Sequence, residues 1–194
     1  MSLEATSTKP DPPARVAPPR PDAEPARFDP IAPLRAVLDQ VGDVLAVLDQ
    51  DQYVQNPVGP FNSSVGGHIR HCLDHLEALI GGAPGGFIDY DKRQRGTSIE
   101  HNRNAAAREV DRLQDALREL EGRPIHEELI VCLMLSGEGP AIHWQSTLGR
   151  EIAFVLSHTI HHGAMIAGMV KQLGAEVPEG FGLAPSTIAY RTGR

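Results

Sequence analysis

Apolar residues recur three and four positions apart in four stretches of the chain, the spacing of helices with one buried face. The first stretch runs from about Asp29 to Asp51, with Asp29 as a candidate N-cap and Pro30 at the first helical position. Three more helices are predicted, from Ser63 or Ser64 to Ile80, from about Asn102 to Glu121, and from Ser146 or Thr147 to Leu173. The pattern therefore predicts an all-α chain of four helices.

Residues 125–145 interrupt this helical pattern. A short apolar run, Leu129–Leu135, is followed by a turn rich in glycine, and Ile142 and Trp144 come after it. We expect a small β-hairpin insert before the last long helix, and a buried helical turn is the alternative. The stretch from Gly86 to Gly96 and the C-terminal tail are predicted to be irregular.

The N-terminal residues have a different composition from the rest. Residues 1–28 contain seven prolines among small and charged residues, and such a segment buries too little apolar surface to fold. We expect a disordered leader over residues 1–28 and one domain over residues 29–194.

Charge and cysteine content narrow the function classes. The net charge of −7 argues against nucleic acid or an anionic membrane as partners. No run approaches the ~18 uninterrupted apolar residues of a membrane helix. The two cysteines, Cys72 and Cys132, lie in apolar stretches, which favours buried thiols and a cytoplasmic location.

Six of the nine histidines fall into two clusters, one on the second helix and one on the fourth. On the fourth helix, His158 and His162 lie about 40° apart within the apolar stripe, and His161 lies at its edge. Buried imidazoles need partners, and one divalent metal ion would satisfy both. Hydrogen-bonded core histidines without metal are the alternative.

The metal-binding histidine of the second helix is not identified by its position in the pattern. Its cluster is His68, His71 and His75, and the apolar face lies closer to His68 and His75 than to His71. Spacing alone does not choose among the three.

Two segments resemble the DinB/YfiT-like family of metalloenzymes: residues 64–75, which read SVGGHIRHCLDH, and residues 157–163, which read SHTIHHG. The similarity covers about residues 30–190. It implies an antiparallel four-helix bundle with a long crossover, and a homodimer. The family's ligand positions fall on His71, His158 and His162, which implies one divalent transition metal, Zn²⁺, Ni²⁺ or Fe²⁺.

The resemblance also implies an activity. Three histidine ligands leave a coordination position for water or substrate, and characterised relatives include transferases and isomerases that use a low-molecular-weight thiol. We therefore expect a metal-dependent transferase or lyase acting on a small molecule, with a thiol cosubstrate. Asp74 and His75 are candidates for orienting a ligand or acting as general base, or else a solvated acid and a helix-edge histidine. The alternative function is a non-catalytic metal-binding or dimerisation module.

Overall fold

The computed structural model of the protein describes residues 29–58, 63–92 and 96–193. Within these ranges the chain is mostly helical and carries one small sheet. The predicted leader, residues 1–28, lies outside the described residues. The elements are, in chain order, α1 (Ala32–Val47), α2 (Gln50–Val54), α3 (Val65–Gly82), β1 (Phe87–Asp89), α4 (Arg103–Ala116), β2 (Glu128–Met134), β3 (Ala141–Thr147), α5 (Leu148–Gln172) and α6 (Pro185–Arg191).

The first predicted helix is divided into α1 and α2, so its predicted continuation to Asp51 was wrong. The division occurs at Asp49, whose carboxylate accepts a hydrogen bond from Gln52 N at 2.7 Å. The Gln52 side-chain oxygen in turn accepts one from Asp49 N at 3.0 Å. This reciprocal pair is a capping box, which starts a new helix where apolar periodicity alone indicates continuation.

The other long helices begin where the sequence pattern predicts, each at a residue that caps it. The Ser64 hydroxyl accepts from Gly67 N at the start of α3, and Asn102 caps α4 through Ala105 N. Thr147 caps α5 through Arg150 N. In each case a side-chain oxygen binds a backbone N–H that the helix leaves without an internal partner.

The predicted hairpin is present, and it belongs to a larger sheet. β2 and β3 pair antiparallel, while β1 pairs with β2 in parallel, giving the strand order β1-β2-β3. The prediction of an irregular stretch was therefore wrong for Phe87–Asp89. One face of the sheet packs on the core through Ile88, Leu129 and Val131.

α5, the longest helix of the described residues, lies against both α1 and α3. It is also long and apolar enough to cross a membrane, but the core helix of a folded domain meets the same criteria. After α5, Gly174 turns the chain with φ of 79°. The tail, predicted to be irregular, ends in the short helix α6.

The four long helices pack in pairs around the core. α1 contacts α4 and α5, and α3 contacts the same two helices. The buried aliphatic side chains of all four helices join one hydrophobic cluster. The contact between α3 and α5 brings the two histidine clusters of the sequence together.

Candidate metal centre

Five histidines meet between α3 and α5. α3 contributes His68, His71 and His75, which lie on one side of the helix because they are three and seven residues apart. α5 contributes His158 and His162, one turn apart. All six ring-centroid distances that link neighbouring members of this group fall between 4.3 and 5.4 Å.

Three of these side chains converge closely enough to hold one ion. The ligand nitrogens of His71, His75 and His158 all lie within 4.8 Å of one another. His71 Nε2 lies 2.9 Å from His158 Nε2. Two nitrogens bound to one Zn²⁺ at about 2.0–2.1 Å stand about 2.9–3.4 Å apart for angles between 90° and tetrahedral. The donor set therefore fits a divalent transition metal.

His75 has its ring orientation fixed by the helix that carries it. Its Nδ1 lies 2.9 Å from the carbonyl oxygen of His71. Because a carbonyl only accepts, Nδ1 carries the hydrogen and Nε2 keeps the lone pair. A hydrogen bond of this kind commonly orients a metal-binding histidine. His75 is also buried, with 7% of its surface exposed.

His162, the third ligand implied by the family resemblance, lies beside this group. Its ring centroid is 4.6 Å from that of His158 and 4.7 Å from that of His71. Its Nδ1 is 3.1 Å from Nδ1 of His68. The structure thus brings together all three predicted ligands, and the set His71, His158 and His162 stays a prediction. The helical periodicity of α3 favours His68 and His75 over His71 without choosing a ligand, whereas the family resemblance implies His71.

Burial keeps two of the imidazoles neutral. Desolvation, followed by the neighbouring charges of His68, His161 and His75, lowers the pKa of His162 to about 4. Desolvation also lowers the pKa of His68. The neutral ring is the form that binds a metal ion.

Two aromatic side chains, Tyr90 and Phe154, pack against one end of the histidine cluster. Tyr90 stacks on His75 at 5.5 Å, and Phe154 lies 5.7 Å from His158 and 5.2 Å from Tyr90. The Tyr90 hydroxyl donates to the buried carboxylate of Glu151 at 2.9 Å. Ser146 Oγ donates to the other oxygen of that carboxylate at 2.5 Å. Sequence reasoning did not single out Phe154 or Glu151, because neither belongs to a histidine cluster.

Asp74, a predicted orienting residue or general base, points along another side of α3. Its carboxylate lies 3.9 Å from Arg70 Nη1. The residue also lines a cavity of about 630 Å³ together with Glu77 and Arg112. A role in orienting a ligand stays a prediction for Asp74, whereas His75 lies inside the cluster itself.

The exposure of His161 and the burial of Cys72 agree with the sequence analysis. His161 is exposed, and its ring lies 5.7 Å from that of His162. Cys72 is buried, and burial, with a smaller contribution from Asp74, raises its pKa to about 12. A buried neutral thiol packs as a small apolar residue and is a poor nucleophile.

Comparison with known proteins gives a family and one relative. The sequence model of the DinB superfamily matches residues 33–166. FK506-binding protein 5 of Rhizopus delemar is 33% identical over 104 residues. That match covers 53% of this chain and 27% of the Rhizopus protein, so the chain spans about a quarter of its length. No solved structure matches the chain significantly.

Proposed function

The chain belongs to the DinB superfamily, and on that premise we propose that it is a metal-dependent enzyme acting on a small molecule. The observation that carries this proposal is the convergence of His71, His75 and His158 between two core helices. Three neutral nitrogen ligands leave a tetrahedral ion one position for water or substrate, as in catalytic zinc sites.

The metal is Zn²⁺, Ni²⁺ or Fe²⁺, since imidazole ligands suit all three. When bound, such an ion lowers the pKa of a coordinated water or holds a thiolate in position for attack. The resemblance to thiol-dependent transferases favours the second use, with a low-molecular-weight thiol as cosubstrate.

The protein's own residues prepare the site for this chemistry. His71 O holds the His75 ring through Nδ1, which directs Nε2 to the ion. Tyr90 and Phe154 exclude water from one side of the cluster, and Glu151 holds the Tyr90 hydroxyl in place. Electrostatic interactions inside a site become stronger when water is excluded in this way.

We also propose a bundle architecture, an oligomeric state and a cellular location for this chain. The pairwise contacts of α1, α3, α4 and α5 support an antiparallel four-helix bundle with a long crossover. We further propose a cytoplasmic homodimer that binds neither nucleic acid nor membrane, consistent with the net charge of −7.

Metal content of the protein purified without a histidine tag tests the site. We expect about one or more equivalents of a transition metal per chain, lost in His158→Ala. His126→Ala is the matched control, because His126 is exposed and lies outside the cluster. A parent protein that stays metal-free after incubation with Zn²⁺, Ni²⁺ and Fe²⁺ would refute the proposal.

A second experiment identifies the third ligand. If His75 is the ligand, His75→Ala lowers the affinity of the ion at His71 and His158, and His162→Ala leaves it unchanged. The reverse result would instead support the set implied by the family, His71, His158 and His162.

The crowding of the cluster favours one other function, a non-catalytic metal-binding module. The rings of both His75 and His162 lie within 4.6 Å of His158. If both bound the same ion, four histidines would close its coordination shell, as in structural sites. The Co²⁺ form distinguishes the two functions, because a thiol or azide changes its visible spectrum only if a coordination position is open.

A further inference from the structure

We propose that the outer edge of β3 pairs with the same edge of a second copy of this chain, so that two three-stranded sheets join into one. The strand order β1-β2-β3 gives β3 a paired strand on one side only, among the residues that the structure describes. This inference rests on the homodimer of the proposed function and assigns the surface through which its two copies meet. It does not depend on the metal.

The backbone groups at the outer edge of β3 belong to its odd-numbered residues. Ile130 N donates to Gly86 O, and Cys132 O accepts from Tyr90 N, so the even-numbered residues of β2 face β1. The N–H and C=O groups of successive strand residues point to opposite sides. The odd-numbered residues of β2 therefore bond to β3, and they lie opposite its even-numbered residues. The residues left facing outward are Ala141, His143, Gln145 and Thr147.

β3 lacks the features that usually prevent a sheet edge from pairing. Edge strands commonly carry charged side chains, proline or a bulge, whereas β3 has seven residues in unbroken register, none of them charged and none a proline. Ile142 and Trp144 are 44% and 37% exposed. Because each chain has a net charge of −7, an uncharged strand is a surface on which two copies approach with little repulsion.

One antiparallel register uses the whole of this edge. With a two-fold axis at Trp144, His143 of each copy lies opposite Gln145 of the other, and Ala141 lies opposite Thr147. All four are the outward-facing residues, so these pairs exchange backbone hydrogen bonds. An axis at His143 or at Gln145 would leave one end of each strand unpaired. The two Trp144 side chains face each other at the centre, an aromatic cross-strand pair.

The neighbouring side chains fit this register in shape and charge. Ile142 of one copy lies opposite Ser146 of the second copy, and Ser146 lines a groove of about 450 Å³ with Trp144 and Arg150. The groove is therefore placed to receive an exposed apolar side chain. Glu138 and Arg150, both exposed, lie six residues before and six after Trp144. The axis thus brings opposite charges to the same end of the paired strands.

Cysteine cross-linking of the full chain tests the register. Trp144 pairs with itself at a position without hydrogen bonds, where the Cα atoms are about 4.5 Å apart, within reach of a disulfide. We expect Trp144→Cys to form a covalent dimer under mild oxidation, seen on a non-reducing gel. His143→Cys is the matched control, because its two copies stand diagonally about 7–8 Å apart, too far for the bond. Cross-linking of His143→Cys but not of Trp144→Cys would overturn this register.

Light scattering on a sizing column measures the oligomeric state. We expect the parent at about twice the chain mass of 21.0 kDa. Gln145→Pro removes an N–H that faces the outer edge and leaves the bonds to β2 in place, so it should be monomeric. Gln145→Ala keeps that N–H and should stay dimeric. Circular dichroism and metal content of both variants should match those of the parent, since the histidine cluster is not altered.

The outcomes separate this inference from the proposed enzyme. A monomeric parent would overturn both the edge pairing and the homodimer, whereas its metal content would still decide the metal site. A dimer that persists in Gln145→Pro, with no cross-link in Trp144→Cys, would overturn the β3 edge alone.

Discussion

The missing side chain at Gly66 allows α3 to approach its neighbours closely. Gly66 lies in the first turn of α3, where an added Cβ would lie 2.8 Å from Tyr53 Cε1 and would overlap the backbone oxygen of Glu100. We expect Gly66→Ala to lower the free energy of unfolding by about 1–3 kcal/mol, because the backbone near Glu100 must move. Urea unfolding measures this loss.

Gly81 in the same helix provides the matched control. No atom lies within 4 Å of a Cβ built there, so Gly81→Ala should be neutral or stabilise the protein by up to about 1 kcal/mol. Equal losses in the two variants would contradict the steric explanation.

Residue-scale prediction was accurate for position around a helix and incomplete for contacts between helices. Periodicity places His158 and His162 on the inner face of α5, and on α3 it favours His68 and His75 over His71. Which nitrogens converge depends on side-chain rotamers and on the separation of α3 and α5. Neither quantity is encoded in the spacing of residues along one helix.

At the scale of elements, Tyr90 connects the end of β1 to the first turns of α5. Its hydroxyl is hydrogen-bonded to Glu151, which is 4% exposed. We expect Tyr90→Phe to destabilise the protein by about 1–3 kcal/mol, because a buried carboxylate loses a donor. Chemical denaturation tests this, with Tyr190→Phe as the control.

The Tyr190 control makes the same chemical change at a residue that is 86% exposed. It should alter stability by less than about 0.5 kcal/mol. If both variants unfold at the parent's midpoint, the Tyr90–Glu151 hydrogen bond does not hold β1 against α5.

Hydrophobic periodicity identified most elements, and the two features that it missed depend on a distant strand pairing and on a helix cap. The hairpin is formed by neighbours in sequence, so alternation and a glycine-rich turn indicate it. β1 pairs in parallel with β2, and Ile88 lies opposite Val131. A three-residue strand whose partner is this distant leaves no local pattern. The division of α1 from α2 depends on one capping box, which periodicity does not reveal.

For the whole molecule, two buried tyrosines make stability depend on alkaline pH. Desolvation, with the charge of Glu100 as a smaller cause, raises the pKa of Tyr53. Desolvation and Glu151 raise the pKa of Tyr90. Both hydroxyls therefore stay protonated in the folded state above about pH 10, where tyrosines of the unfolded chain ionise. Their contribution is complete below about pH 10 and decreases as pH rises further.

Tyrosinate absorbance and thermal unfolding measure this dependence. In the folded protein, Tyr53 and Tyr90 should ionise only on unfolding, because burial raises the pKa of both hydroxyls. Tyr53→Phe should lose stability less steeply with pH than the parent. Ionisation of Tyr53 and Tyr90 near pH 10 in the folded protein would contradict the prediction.

The joining of α3 to α5 through His71 and His158 also bears on the order of folding. These two residues are 87 positions apart in the chain, so they meet only after a large loop has closed. The individual helices and the β2–β3 hairpin depend on local contacts, which form faster. The histidine cluster is therefore expected to assemble late in folding. An ion bound there would slow unfolding, and it would have little effect on the rate at which the chain first collapses.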